Sequence, residues 1–409
     1  MPAESGINDS GSGQALGLPS LPGLADRFYE RMRSVILPFW VSKAFLVDAG
    51  QFSELIDFDG NSICEVPLRA MVQARQIYVY TDAERTGELK GGGERALRAL
   101  EILLSRYSED RDLTKGLAFS VSPDGHVISP VRDSYTHAFL LFALASAYRL
   151  TNETRLLRAA DSLVTFIDGR LTDSISGGLF DRAPEPSAFK LQNPLMHLLE
   201  AYLALHEACP GRGFIDRAAS IVRLFGEQLF QHELGIVFEK YGADWSVTGL
   251  GPASSFEPGH QFEWAWLLDR YGSLTGNKNE RLSDRLWSTA CKKGLSHDFH
   301  CSDEIAIDPA FSKHTLRVWP HTEGMKAAVR RYERGDKDAG KILAGLLHAL
   351  NLRFLGRPFQ AGWIDRVDID GNPVSETVPA STLYHLYTAF KEISKARFDP
   401  DDASRLSAT

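Results

Sequence analysis

Apolar positions recur every three to four residues along most of this chain, the spacing that predicts helices. Over residues 94–107, Leu97, Leu100, Leu103 and Leu104 form one stripe with charged residues opposite. Residues 155–171, 214–230, 279–294 and 339–355 follow the same pattern, so each reads as an amphipathic helix with one buried face. Between them lie segments apolar on more than one side: 68–80, 134–150, 194–209, 259–271, 320–333 and 381–395. These predict a second, inner layer. Residues 25–36 supply a further outer helix that can close a ring. The order inner, outer, inner, outer predicts an all-α fold, an (α/α)6 barrel of six inner and six outer helices.

The connections repeat as well. Turns read Ser122-Pro-Asp-Gly125, Ser176-Gly-Gly-Leu179, Glu233-Leu-Gly-Ile236, Asp303-Glu-Ile-Ala306 and Ala361-Gly-Trp-Ile364, with a weaker version at Asp57-Phe-Asp-Gly60. They recur at intervals of about 60 residues, and an internal period decides architecture before any local assignment does. Short alternating segments such as 116–121 and 364–369 predict small β-hairpin turns at one end of the barrel, over the N-termini of the inner helices. Those N-termini carry unpaired N–H groups and the positive end of the helix dipole, which favour an anionic intermediate. An open α-solenoid is the competing architecture. Its repeats run nearer roughly 34–47 residues, and its concave face seldom carries this His, Glu, Tyr and Trp content.

Length alone, 409 residues, suggests two or three domains. The repeat array instead predicts one catalytic barrel over residues 24–398. Residues 1–23, rich in Gly, Ser and Pro, read as a disordered tail, and 399–409 as a frayed polar end. The net charge of −8 comes with no Lys/Arg run, so nucleic acid is not an expected partner. No apolar run approaches a membrane span, and residues 1–23 lack the basic and apolar regions of a signal peptide. Cys64, Cys209, Cys291 and Cys301 are scattered without a CxxC pair and read as thiols of a reducing compartment. A cytoplasmic location is therefore expected, and an apolar barrel surface allows a homodimer.

Chemistry gathers where the inner helices open. These segments carry Arg75; Tyr135 and His137; Asn193 and His197; His260 and Glu263; His321 and Glu323; and His385. The sharpest motif is Glu257-Pro-Gly-His-Gln-Phe-Glu-Trp264. His260 and Glu263 are three apart and share a helix face, so the carboxylate can hold the imidazole in one tautomer. The competing reading is a capped helix start with a satisfied core histidine, at about even odds for the motif alone. In Ser381-Thr-Leu-Tyr-His385 a lone histidine is more often structural, but its matching position in the ring raises the functional reading. Trp319-Pro-His-Thr-Glu323 offers a flat wall for the C–H face of a sugar and a carboxylate for its hydroxyls. Asn193 and His197 share a face four residues apart. Arg75 can neutralise an oxyanion or hold a hydroxyl, or it can pair with an acid such as Glu65. No GxGxxG, GxxxxGK[ST] or HExxH pattern occurs, so neither a nucleotide cofactor nor a metal is expected. Glu263 and Glu323 could pair as in a glycosidase, but the surplus of histidine favours proton shuttling near neutral pH.

At these residues the chain resembles the N-acylglucosamine 2-epimerase superfamily. The matching pieces are Gln73-Ala-Arg75 with Tyr78, Tyr135 with His137, Asn193 to His197, Glu257 to Trp264, Trp319 to Glu323, and Tyr384-His385. Together they cover nearly the whole chain after the N-terminal tail. The resemblance implies an (α/α)6 barrel and 1,2 proton transfer on free sugars. Members include acylglucosamine, cellobiose and mannose 2-epimerases, mannose isomerases and sulfoquinovose isomerases. By resemblance His260 and His385 are the acid/base pair, with Glu263 orienting His260. Arg75, Tyr135, Asn193, His197, Trp264, Trp319 and Glu323 bind the sugar. The implied activity is interconversion of D-mannose and D-fructose, or a close relative, through a cis-enediolate. A 2-epimerase of an N-acyl-hexosamine or of glucose and mannose is the alternative. A non-catalytic sugar-binding barrel and a glycosidase are further readings. Two departures stand out. The loop Thr248-Gly-Leu-Gly-Pro-Ala-Ser-Ser255 lacks an Arg common in the isomerases, which argues against an anionic sulfo-sugar, and His321 stands where Gln or an apolar residue is common.

Overall fold

The computed structural model describes residues 19–247, 251–277 and 279–399; of the expected tails at 1–23 and 399–409, residues 1–18 and 400–409 lie outside them. Among the described residues, twelve helices form two layers. The outer ones are α1 (Leu21–Arg31, continuing through Met32–Ile36 into Leu37–Lys43), α3 (Gly92–Arg106), α5 (Thr154–Phe166), α7 (Phe214–Leu224), α9 (Glu280–Thr289) and α11 (Lys337–Arg353). The inner ones are α2 (Ala70–Thr86), α4 (Ser134–Thr151), α6 (Asn193–Ala208), α8 (Pro258–Thr275), α10 (Val318–Glu333) and α12 (Thr382–Lys395). Helix α1 starts ahead of the expected boundary at 23, because Ser20 caps it and Leu21 and Leu24 are buried.

The inner helices are buried nearly all round, as segments lacking a polar stripe must be. Each packs on the next, and α12 returns to α2. Closure is sealed twice. Leu55–Asp57 pairs antiparallel with Thr377–Pro379, joining the first repeat to the last. Trp40 on α1 stacks on Trp363 at 4.5 Å and donates Nε1–H to the Ala361 carbonyl at 2.9 Å.

Short strands surround the N-termini of the inner helices. Some are local hairpins, as expected: Ser120–Val121 pairs with Val127–Ser129. Others cross between repeats. Phe189–Leu191 pairs with Lys240–Gly242, and Arg366–Asp368 joins a four-stranded sheet beside Lys313–Arg317. One expected turn is corrected: Asp303 to Ala306 lies inside the strand Ser302–Ala306. The turn of that repeat spans Ser296 to His300, closed by the bridge of Leu295 with Cys301. Phe299, with φ of 59°, takes the left-handed position that Gly235 fills in the preceding repeat.

Two histidines of the polar ring at the helix starts serve these connections. His137 donates Nδ1–H to the Asp133 carbonyl at 2.6 Å, and its Nε2 accepts from the Leu117 N–H at 3.0 Å. His321 does the same with the Arg317 carbonyl and the Cys301 N–H. Gln261 and Gln73 bind both the N–H and the C=O of Val237 and Phe52. An imidazole spanning two backbone groups thus replaces an amide. Burial holds His321 at about 3, so it stays neutral and keeps its acceptor.

Candidate active site

Six of the other eight polar-ring residues converge on a cavity of about 280 Å3 at the strand-lined end of the barrel. Arg75, Tyr135, Asn193, His197, His260, Trp319 and His385 line it, seven of the residues singled out in the sequence. Leu191, Glu239, Glu257 and Arg317 complete the wall. The indole of Trp319 lies between the two expected acid/base histidines, with ring centroids 4.7 Å from His260 and 5.7 Å from His385. Gly259 permits this. A Cβ there would stand 2.6 Å from Trp319 Cη2 and 3.0 Å from Pro320 Cα.

His260 is oriented by Glu239. Glu239 Oε2 lies 2.8 Å from Nδ1, and Glu257 Oε2 lies 3.4 Å from the same nitrogen. Glu239 is itself held: its Oε1 accepts from the Glu257 N–H at 3.0 Å, and its Oε2 accepts from Gln192 Nε2 at 2.9 Å. Burial disfavours the charged ring, but the attraction of Glu239 and Glu257 outweighs it and pushes His260 up to about 10. His260 is therefore an imidazolium at neutral pH, with Nε2–H free of protein partners among the described residues.

Glu263 does not hold His260. It sits fully buried below the cavity, 3.9 Å from His197 Nδ1 and 3.7 Å from Lys326 Nζ. A spacing of three puts both residues on one stretch of α8, yet the His260 ring leans towards the strands while Glu263 points down the barrel axis. Trp264 also differs from expectation. It stacks on Phe225 at 4.2 Å, between the layers, and donates Nε1–H to Gln192 Oε1 at 2.6 Å. Indole is donor-only, so this bond fixes which end of the Gln192 amide faces Glu239.

His385 faces the cavity from α12. Glu323 Oε1 lies 2.8 Å from its Nδ1. Glu323 is fully buried beneath the cavity, with Lys326 as ion-pair partner, so it orients His385 and does not line the sugar space. Burial, then the nearby Arg75 and Lys326 cations, holds His385 well below 6.5. It is a neutral imidazole; burial and the neighbouring Glu263 carboxylate hold Glu323 well above the usual carboxylate range, so the pair shares one proton, and with that proton on Nδ1 the Nε2 lone pair is free to act as a base.

Arg75 makes no ion pair with Glu65, which is exposed. Its Nη2 donates to the Tyr135 hydroxyl at 2.6 Å, its Nη1 to the Ser381 carbonyl at 3.3 Å, and the guanidinium lies 4.3 Å from the Phe139 ring centroid. Asn193 Oδ1 is buried without a protein hydrogen bond. His197 Nδ1 lies 3.3 Å from Glu200 Oε2, which also accepts from the Tyr384 hydroxyl; burial keeps this imidazole below 6.5. Glu239, Glu257, Arg317 and Lys326 were not singled out. Glu257 stands three residues before His260 and Lys326 three after Glu323, spacings that could have drawn attention; Glu239 carries no such signal. Among the described residues, two sets present metal-ligand atoms within 4.8 Å of one another: Glu239, Glu257 and His260, and His197, Glu200 and Glu263. Near the second, the Lys326 ammonium already supplies positive charge. In the first, the His260 Nδ1 proton occupies the lone pair a metal would need.

Residues 50–389 match the sequence pattern of the N-acylglucosamine 2-epimerase (GlcNAc 2-epimerase) family. The chain belongs to this family. A mannose-6-phosphate isomerase of Rhizobium meliloti is 31% identical over 379 residues, covering 88% of this chain and 94% of that protein. An N-acylglucosamine 2-epimerase of Bos taurus is 23% identical over 82% of each chain. The cellobiose 2-epimerase structure from Bacillus thermoamylovorans shares the fold with a TM-score of 0.84 at 20% identity, over 92% of this chain and 100% of that one. The family member described here is an enzyme of the sugar isomerase and epimerase class.

Proposed function

We propose that this enzyme interconverts an aldose and a ketose of the mannose and fructose type, free or carrying a 6-phosphate, by proton transfer between carbons. The observation that carries the reading is the pairing of a neutral His385 with a protonated His260 on either side of Trp319. The C–H next to an aldehyde is a weak acid, and its removal needs a base on carbon and a proton near oxygen. His385 Nε2 takes the C2 proton. The C–H electron pair becomes the C1–C2 double bond, and charge moves to O1. In ring opening His260 gives its proton to the ring oxygen and takes up the one released from O1; it then protonates O1 of the enolate and recovers the O2 proton as the C2 carbonyl forms. Return of the carbon-bound proton from His385 to C1 yields the ketose.

Arg75 and Asn193 suit the hydroxyls and the enediolate oxygens, and Trp319 suits the C–H face of the ring. The names of the relatives at 31% and 23% identity support the class of substrate. A second reading is a 2-epimerase, favoured by the presence of two separate histidines on the cavity wall, of which His260 would deliver the proton to the opposite face of C2. Incubation with mannose, mannose 6-phosphate and N-acetylmannosamine, read by product analysis, tests both. Ketose formation supports isomerisation, and an aldose epimer without ketose supports the second reading.

A further inference from the structure

Among the described residues Lys326 is the one lysine in the layer beneath the cavity floor, and its side chain is 0% exposed. It lies on α10 one turn after Glu323, pairs with that carboxylate, and stands 3.7 Å from Glu263 Oε1 and 4.0 Å from the centroid of Trp266. It does not line the cavity. Three buried carboxylates, Glu200, Glu263 and Glu323, share this layer, and buried ionised carboxylates cannot persist without a cation. Glu323 in turn holds Nδ1 of His385.

We propose that Lys326 is a positioning residue for the proton transfer: acting through Glu323, it gives His385 the orientation and charge state that a base on carbon requires. The inference rests on the role assigned to His385 in the proposed function. The groups facing His385 are Arg75 from α2, His197 and Glu200 from α6, Glu263 and His260 from α8, Glu323 and Lys326 from α10, Tyr384 beside it, and Arg317 above. Arg75 and Arg317 reach the cavity, where substrate or water screens them. Lys326 is sealed in and acts at full strength. Removing its charge makes the His385–Glu323 pair bind a proton more tightly, whichever atom carries it. The pH above which His385 is a free base then rises. Burial favours the neutral amine, but Glu323 and Glu263 more than compensate and keep Lys326 charged throughout this range.

The test uses the full chain with K326M, K326Q and K326R, since one neutral variant can fail to fold. Imidazole NMR, with His385 assigned by H385N, follows the ring from pH 5 to 9 without substrate. The expected result is a rise in the His385 titration midpoint of about one unit or more in K326M or K326Q, and a return towards wild type in K326R. With mannose, the acid limb of the kcat profile should move the same way, with kcat down at least about tenfold and KM little changed. An unmoved titration and acid limb, with only a lower Tm, would overturn the inference. Because NMR needs no turnover, it decides the role of Lys326 even if no sugar is converted.

Discussion

Glu239 Oε2 lies 2.8 Å from His260 Nδ1, although Glu239 belongs to an irregular connection and His260 to a helix. That contact sets the charge of the proposed acid. E239Q should lower the His260 pKa from about 10 and move the alkaline limb of kcat/KM to lower pH, with a loss of roughly 10- to 100-fold at pH 8. A pH–rate profile checks it.

The same pair predicts a stability effect. The His260 pKa is raised on folding, so its stabilisation is complete below about 6.5 and is lost as pH rises through about 10. Wild type should therefore lose more stability than H260Q between pH 7 and 10, as read by urea unfolding.

His321 has the opposite sign. Its folded pKa is depressed to about 3, so its contribution is present above 6.5 and is lost as pH falls towards 3. Because Gln261 makes the equivalent clamp, H321Q should fold and should lose less stability than wild type between pH 7 and 4. H321A should cost about 1–3 kcal/mol at pH 7 by orphaning buried backbone groups.

The two tryptophans should separate. W319A should raise KM by roughly three- to tenfold, as a lost sugar wall would. W264F should leave KM within about twofold and lower Tm, since it frees the Gln192 amide and leaves its buried carbonyl without a donor. Steady-state kinetics and thermal unfolding on both variants decide this.

The helix layers were legible because burial on one side or on all sides marks a sequence directly. Residues 155–171 and 214–230 even include the widened last turns, Ile167–Leu171 and Phe225–Leu229. The turn at Ser296 to His300 was missed because Phe299, not glycine, adopts its positive φ. The ring of polar residues was legible, but its two roles were not. His137 and His321 face backbone, while His260, one residue before the clamping Gln261, and His385 face the cavity. Glu239 was hidden 21 residues before its partner, in a segment without periodicity. Lys326 reads as a surface charge until three carboxylates are folded around it.

The most direct measurement is proton NMR of the EDTA-treated enzyme with mannose, and separately mannose 6-phosphate, in D2O, alongside H385N. The expected result is the matching ketose with deuterium bound to carbon, and no exchange in H385N. Product without deuterium on carbon, or turnover that survives in H385N, would contradict proton transfer by His385.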